Sequence, residues 1–122
     1  MVKILLVEDD PLLIDIYTTK FKKSDFSVEV ESDGKNVIKR IETVKPELVI
    51  LDIVLPNMDG WDILYQLRKK KSLKNTKVLI LSNLGQEDEV KRGMELGVVA
   101  YLIKADYTPT QVVAEVQKLL NT

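Results

Sequence analysis

Five short apolar runs lie along the chain, separated by longer segments in which apolar and polar residues are mixed. The runs cover residues 4–7, 26–30, 48–51, 78–81 and 98–103. Four of them are almost uninterrupted valine, isoleucine and leucine, a pattern typical of strands buried on both faces of a parallel sheet. The second run alternates apolar with polar residues, which predicts a strand at an edge of the sheet.

The segments between the runs repeat apolar residues at the three- and four-residue spacing of amphipathic helices. The repeating residues are Leu13, Tyr17 and Phe21; Val37, Ile41 and Val44; Ile63, Leu64 and Leu67; Val90 and Met94; and Val112, Val113, Val116, Leu119 and Leu120. Asp10 and Thr108 each precede a proline and predict helix N-caps, and Thr108 with Gln111 predicts a capping box. Gly97 predicts a helix end.

Strand and helix therefore alternate along the chain, with short connections between them. This alternation favours a parallel sheet with right-handed crossovers and helices on both of its faces. We predict an α/β fold of the (βα)5 type, a doubly wound five-stranded parallel sheet. At 122 residues the chain fits one domain over 1–122, and we expect no effector domain within it.

Composition and charge exclude several classes of chemistry. The chain has no cysteine and no histidine, so thiolate and imidazole chemistry are excluded. Its 18 basic and 19 acidic residues give a net charge of -1, which does not favour direct binding of nucleic acid. The first apolar run is too short for a signal peptide or a membrane span. We expect a cytoplasmic protein that does not bind membranes.

One basic cluster follows the third predicted helix. It contains Arg68, Lys69, Lys70, Lys71, Lys74 and Lys77. Lysine and arginine at a helix carboxyl end compensate the unsatisfied carbonyl groups there. We therefore interpret the cluster as a solvated helix end rather than a nucleic-acid site.

Polar side chains that can carry chemistry follow four of the predicted strands. Glu8, Asp9 and Asp10 follow the first strand, Asp52 the third, and Ser82 and Asn83 the fourth, while Lys104 follows the fifth. The carboxyl ends of parallel strands meet at one edge of the sheet, where α/β proteins bind ligands. Each residue alone would fit a cap, a turn or a surface position. Together they predict one site that binds a divalent cation and an anion.

The chemistry of such a site is specific. Carboxylates gathered at one edge repel each other, and Mg²⁺, which prefers carboxylates, waters and phosphate oxygens, relieves the repulsion. A carboxylate beside the cation can attack a phosphoryl group and form an aspartyl phosphate. The phosphoryl oxygens then need positive charge and hydrogen-bond donors, for which Lys104 and Ser82 are candidates.

Four stretches in order along the chain carry a family resemblance: VEDD at 7–10, LDIVLPNMDG at 51–60, LS at 81–82 and AYLIK at 100–104. They resemble the receiver domain of two-component response regulators. A flavodoxin-like strand order, 2-1-3-4-5, goes with this fold. The resemblance implies that Asp52 accepts a phosphoryl group from a sensor histidine kinase or a histidine phosphotransfer protein.

The same resemblance implies roles for the other residues. Glu8 and Asp9 would hold Mg²⁺, Asp9 as a direct ligand and Glu8 through water, with the backbone carbonyl of Val54 as a further ligand. Lys104 would contact the phosphoryl group, and Ser82 would hydrogen-bond to it. Tyr101 would turn inward as Ser82 moves. The surface of the fourth helix, fifth strand and fifth helix would then change and bind a downstream target or effector domain.

The sequence also departs from the family pattern. Ala105 stands where proline usually follows the lysine, so we expect a trans peptide bond and a reshaped loop. Asn83 stands where a small residue is common, which bears on phosphorylation and dephosphorylation rates. Residues 98–100 are apolar where many relatives carry an acid, which points to a more apolar partner surface.

Three alternatives compete with this interpretation. A phosphatase of the haloacid dehalogenase-like class would need an acid at Val54, so turnover hydrolysis is disfavoured and we do not expect a turnover enzyme. A flavodoxin-like cofactor binder would place the flavin phosphate against three acids. A receiver-like interaction module that works without phosphorylation stays open. Asp10, before Pro11, is interpreted as a helix cap, and Trp61 as packing at a helix start.

Overall fold

The computed structural model describes residues 1–121, and its centre is a single parallel sheet. The strands are β1 (Lys3–Val7), β2 (Ser27–Glu31), β3 (Leu48–Leu51), β4 (Val78–Ser82) and β5 (Ala100–Ile103). Their order in the sheet is β2-β1-β3-β4-β5, with every neighbouring pair parallel. This confirms the predicted fold and the edge position of the second strand.

Five helices connect the strands and cover the sheet. They are α1 (Pro11–Lys23), α2 (Val37–Val44), α3 (Gly60–Lys69), α4 (Glu87–Glu95) and α5 (Pro109–Leu120), with short 3-10 turns at Gly34–Asn36 and Lys104–Asp106. Asp10 caps α1 by accepting hydrogen bonds from the backbone N–H of Leu12 at 2.9 Å and Leu13 at 3.5 Å. Thr108 and Gln111 form the predicted capping box of α5.

Alternate residues of the central strands contribute their side chains to two apolar cores, one on each face of the sheet. In β1, Leu5 and Val7 point to the core formed with α2 and α3, while Ile4 and Leu6 point to the core formed with α1 and α5. Side chains of a strand alternate between faces, so a strand buried on both sides has to be apolar throughout. The helices therefore hold the sheet rigidly from both sides.

Two predicted strands begin later than the apolar runs suggest. The backbone N–H of Phe26 donates to Phe21 and closes the end of α1, so β2 starts at Ser27. Similarly, the N–H of Val98 donates to Gly93, so Val98 belongs to the end of α4 and β5 starts at Ala100. Both side chains are buried, which explains why apolarity alone extended the runs.

Helix α4 ends just before Gly97, as predicted, and Gly97 has a positive φ of 77°. No cis peptide bond occurs in residues 1–121, so the bond before Ala105 is trans, as expected. None of the helices in this range has the length and apolarity that crossing a membrane would require.

Arg68 does not behave as the predicted solvated helix end. Its Nε donates to the carbonyl of Leu96 at 2.7 Å and its Nη2 to that of Gly97 at 3.2 Å. Its Nη1 donates to the carbonyls of Lys74 and Thr76. Arg68 therefore ties the end of α3 to the end of α4, whose carbonyls it caps in place of those of its own helix.

Many of the charged side chains are unevenly distributed along the strand direction. Acids gather where the strands end: Glu8, Asp9, Asp10, Asp33, Asp52, Asp59 and Asp62. Exposed lysines gather where the helices return to the start of the strands: Lys45, Lys70, Lys71, Lys74 and Lys77. Lys45 and Lys71 line one groove at that end.

Candidate functional site

Three carboxylates meet at the carboxyl edge of the sheet. Val7 pairs with Leu51 across β1 and β3, so Glu8 and Asp52 emerge side by side. Both are buried, with 2% and 6% of their surfaces exposed, whereas Asp9 is exposed. One oxygen from each of Glu8, Asp9 and Asp52 lies within 4.8 Å of the others. The predicted acidic residues are therefore close enough to share one ion.

Lys104 joins this group from the end of β5. Its Nζ lies 2.7 Å from Glu8 Oε1 and 2.7 Å from Asp52 Oδ2. Burial lowers the pKa of Lys104, but hydrogen bonds and charge attraction from Asp52 and Glu8 outweigh it, and the pKa is raised overall. The ammonium is therefore charged at neutral pH and offsets part of the repulsion between the two buried carboxylates.

Backbone amides fix the remaining oxygens of the buried acids. Glu8 Oε2 accepts from the N–H of Asp9 and of Asp10, each at 3.2 Å. Asp52 Oδ1 accepts from the N–H of Val54 at 3.2 Å. Val54 itself lies in the loop after β3 with 61% of its surface exposed. Both carboxylates are thus oriented before any ligand arrives.

Ser82 and Tyr101 meet at the loop between β4 and α4. Ser82, the fully buried last residue of β4, accepts a hydrogen bond from the N–H of Leu84 at 3.3 Å. The Tyr101 hydroxyl donates to the carbonyl of the same Leu84. The Tyr101 ring packs so closely on Gly93 of α4 that a Cβ there would lie 2.9 Å from it. The backbone of Leu84 is thus hydrogen-bonded to both the Ser82 and the Tyr101 side chains.

Burial raises the pKa of Tyr101 to about 12, with further contributions from Glu89 and Asp52. The hydroxyl is therefore protonated at neutral pH and remains a donor to Leu84. Asn83, the residue after the buried Ser82, has an exposed side chain. Asp10 caps α1, as predicted, whereas the metal-binding role of Glu8 and Asp9 stays a prediction.

Tyr17 of α1 was not identified as a site residue from the sequence. It is 2% exposed. The pKa of Tyr17 is raised, mainly by burial. The charges of Lys104, Glu8 and Asp52 also act on it, the first lowering and the other two raising the pKa. The Tyr17 hydroxyl therefore interacts electrostatically with the charged residues of the site. Its sequence signal was masked because it occupies one position of the apolar stripe of α1.

The donor chemistry of the site fits a hard divalent cation. Its ligand candidates are oxygens, and the described chain offers no sulfur or imidazole donor there. Mg²⁺ prefers such oxygens, with one or two carboxylates, whereas softer metals prefer nitrogen and sulfur. Glu8, Asp9 and Asp52 therefore offer oxygen ligands that suit a hard divalent cation.

Comparison with known proteins agrees with this architecture. A family model described as the response regulator receiver domain matches residues 4–117. The alkaline phosphatase synthesis transcriptional regulatory protein PhoP of Bacillus subtilis (strain 168) is 34% identical over 119 residues, which cover 98% of this chain and 48% of PhoP. The chain spans about half the length of the curated relatives it matches.

Solved structures are similar over nearly the whole chain. The BeF3-activated N-terminal receiver domain of Klebsiella pneumoniae RstA has a TM-score of 0.87 at 30% identity, covering 98% of this chain and 99% of that chain. The Mn²⁺-bound form of the response regulator Rcp1 has a TM-score of 0.85 at 26% identity, covering 97% and 93%. The family match over most of the sequence agrees with the strand order and with the residues that converge at the strand ends. The chain therefore belongs to the response regulator receiver domain family.

Proposed function

We propose that this receiver domain accepts a phosphoryl group on Asp52 in a Mg²⁺-dependent reaction. The donor is a phosphohistidine of a sensor histidine kinase or a histidine phosphotransfer protein. The observation that carries the proposal is the buried Asp52 carboxylate, held between the Lys104 ammonium at 2.7 Å and the Val54 N–H at 3.2 Å. Glu8 and Asp9 lie beside it, each with a carboxylate oxygen within 4.8 Å of one of Asp52, and these oxygens would hold the metal, with the Val54 carbonyl as a further ligand.

In the transfer, a carboxylate oxygen of Asp52 attacks phosphorus while the bond from phosphorus to the donor's imidazole nitrogen breaks. The electron pair of that bond stays on the nitrogen, and the product is an aspartyl phosphate. Mg²⁺, when bound, neutralises charge on the phosphoryl oxygens. Lys104 contributes a second positive charge at the same oxygens, and the Ser82 hydroxyl offers a hydrogen bond.

The product stays on the protein, so the domain works as a switch and not as a turnover enzyme. When Ser82 turns to the phosphoryl group, it releases the N–H of Leu84, whose carbonyl holds Tyr101. The loop between β4 and α4 is thereby biased to a second packing. The surface of α4, β5 and α5 changes with it and binds a downstream protein target or effector domain.

The test is incubation with Mg²⁺ and acetyl phosphate, followed by intact mass measurement. Wild type should gain the mass of one phosphoryl group, and Asp52→Asn should gain none. Asp15→Asn serves as a matched control, because Asp15 is an exposed acid of α1, and it should behave as wild type. An equal adduct on Asp52→Asn, or none on wild type, would contradict the proposal.

One observation favours a second candidate function, an interaction module that works without phosphorylation. The Tyr101 hydroxyl already donates to Leu84 and its ring already packs on Gly93, so these contacts with α4 and the preceding loop form without a phosphoryl group. If partner binding is equal for wild type and Asp52→Asn in the presence of the phosphodonor, this second function is the correct one.

A further inference from the structure

The loop between β3 and α3, residues 53–59, is held by a segment far away in sequence. This loop carries Val54 and therefore one of the proposed Mg²⁺ ligands. The segment that holds it is the turn after β2, which contains Asp33 and the 3-10 turn Gly34–Asn36.

Two hydrogen bonds join the turn to the loop. The Asn57 side-chain amide donates to Asp33 Oδ2 at 3.0 Å, and the N–H of Gly34 donates to the carbonyl of Pro56 at 3.2 Å. The other oxygen of Asp33 accepts from the N–H of Lys35 at 3.0 Å. Asp33 thus uses one oxygen to form its own turn and the other to hold the loop.

Gly34 brings the two backbones into direct contact. A Cβ built on Gly34 would lie 1.9 Å from the carbonyl oxygen of Met58. This is far inside van der Waals distance, and the atom it meets is backbone that cannot rotate away. The approach therefore requires glycine for space, although its φ is not in the left-handed region.

The loop is also fixed where it leaves and rejoins the ordered elements. The Val54 N–H donates to Asp52 at 3.2 Å, and the Gly60 N–H donates to the Ile53 carbonyl at 2.7 Å. Asn57, between these points, has a left-handed φ of 69°, which asparagine tolerates better than most residues. Only two residues separate Asn57 from Val54, so a shift of the turn at Asn57 is transmitted to Val54 over a short stretch of backbone.

We propose that Asp33 and Asn57 form a positioning pair for the metal site, holding residues 54–58 so that the Val54 carbonyl stays in place to bind Mg²⁺. The inference rests on the proposed function, since it deepens the role given there to Val54. Hydrogen bonds that orient metal ligands from outside the ligand set contribute substantially to metal affinity.

The pair can be broken and then restored with almost no change in shape. Asn57→Asp places a carboxylate against the carboxylate of Asp33 and removes the donor. The double variant Asp33→Asn/Asn57→Asp exchanges the two partners, so a donor and an acceptor again face each other. The acceptor for the Lys35 N–H is kept, because an asparagine side chain retains one oxygen.

Mg²⁺ alone is titrated into each folded variant by calorimetry. Asn57→Asp should weaken Mg²⁺ binding about tenfold and speed hydrogen exchange of the amides in 54–58, and the double variant should recover both. Electrostatics alone would have the opposite effect, because an added negative charge attracts the cation. Asn36→Asp is the matched control: it adds the same charge at an exposed neighbouring position and should not weaken binding.

Equal or tighter Mg²⁺ binding by Asn57→Asp, or no recovery in the double variant, would overturn the positioning role. If Asn57→Asp does not fold, Asn57→Gly replaces it, since glycine keeps the left-handed φ and removes only the amide. Absence of Mg²⁺ binding by wild type would instead contradict the proposed function itself, so the two failures are distinguishable.

Discussion

Asp9 and Asp10 are neighbouring acids with different partners. Asp9 contributes an oxygen to the acidic group with Glu8 and Asp52, whereas Asp10 accepts from the N–H of Leu12. We expect Asp9→Ala to abolish Mg²⁺-dependent phosphorylation. We expect Asp10→Ala to keep it and to lower the free energy of unfolding by about 1 kcal/mol, the usual loss of an N-cap. Mass measurement and urea unfolding check the two expectations, and equal loss of phosphorylation in both variants would contradict them.

Tyr101 gives a prediction at alkaline pH. Its pKa is raised from 10.0 to about 12, mainly by burial, so the folded state favours the protonated hydroxyl. The stabilisation is therefore complete below pH 10 and is lost as the pH rises from 10 to about 12. Urea unfolding of wild type and Tyr101→Phe should show a difference in unfolding free energy that falls over this range. A constant difference would argue against the raised pKa of Tyr101 in the folded state.

The roles proposed for individual residues differ in how visible they are in the sequence. Glu8, Asp52 and Lys104 directly follow apolar strands, so the sheet alone brings them together. Asp33 and Asn57 are 24 residues apart and meet only because two loops fold against each other. Loop conformation depends on such contacts between distant segments, and no periodicity in the sequence encodes them.

At the scale of elements, α4 is attached to the domain in an unusual way. Gly93 is its only fully buried residue, so apolar packing contributes little. Arg92 of α4 instead stacks on α3, with its Cζ 4.3 Å from the Trp61 ring centroid and 5.3 Å from that of Tyr65. Its Nε also donates to the Tyr65 hydroxyl at 3.3 Å. Together with Arg68, two arginines hold α3 and α4 together.

We therefore expect Arg92→Ala to loosen α4 and to expose Trp61. Loss of the cation–π contact should lower the free energy of unfolding by about 0.5 to 1 kcal/mol and shift Trp61 fluorescence to longer wavelength. Lys91→Ala is the matched control, because Lys91 is an exposed cation of the same helix, and its emission should match wild type. An unchanged Trp61 emission wavelength in Arg92→Ala would show that Arg92 does not shield the Trp61 ring from solvent.

Element types followed from periodicity, whereas some element ends did not. The central strands are apolar because both faces are covered, and the stripes of α1, α2, α3 and α5 match the two cores. The stripe predicted for α4 was wrong, because Val90 and Met94 join neither core and Met94 is 51% exposed. Phe26 and Val98 extended the predicted strands because they are buried, yet their N–H groups complete helix ends. The contacts of Arg68 were likewise not predictable, since they depend on how the end of α4 meets α3.

For the whole molecule, metal binding should appear as stability. A ligand that binds only the folded state stabilises it by about 2.7 kcal/mol when its free concentration is one hundred times Kd. We expect Mg²⁺ to raise the melting temperature of wild type in a concentration-dependent way that a chelator reverses. Asp9→Ala should abolish most of this rise, because it removes a ligand and leaves the ion pairs of Lys104 intact. A rise of equal size in that variant would place the ion elsewhere.

The acids at the carboxyl ends of the strands and the lysines at the opposite end give the domain an uneven charge distribution despite a net charge of only -1, even though Glu42 pairs with Lys70 at the lysine end. An approaching protein therefore experiences a torque before contact, and a basic partner surface is turned towards the carboxyl edge while the lysine end repels it. The rate at which a partner meets the carboxyl edge in the correct orientation then depends on the long-range electrostatic field of the domain. Such orientation weakens as salt shortens the Debye length, so association should slow with ionic strength even though the total charge is nearly zero.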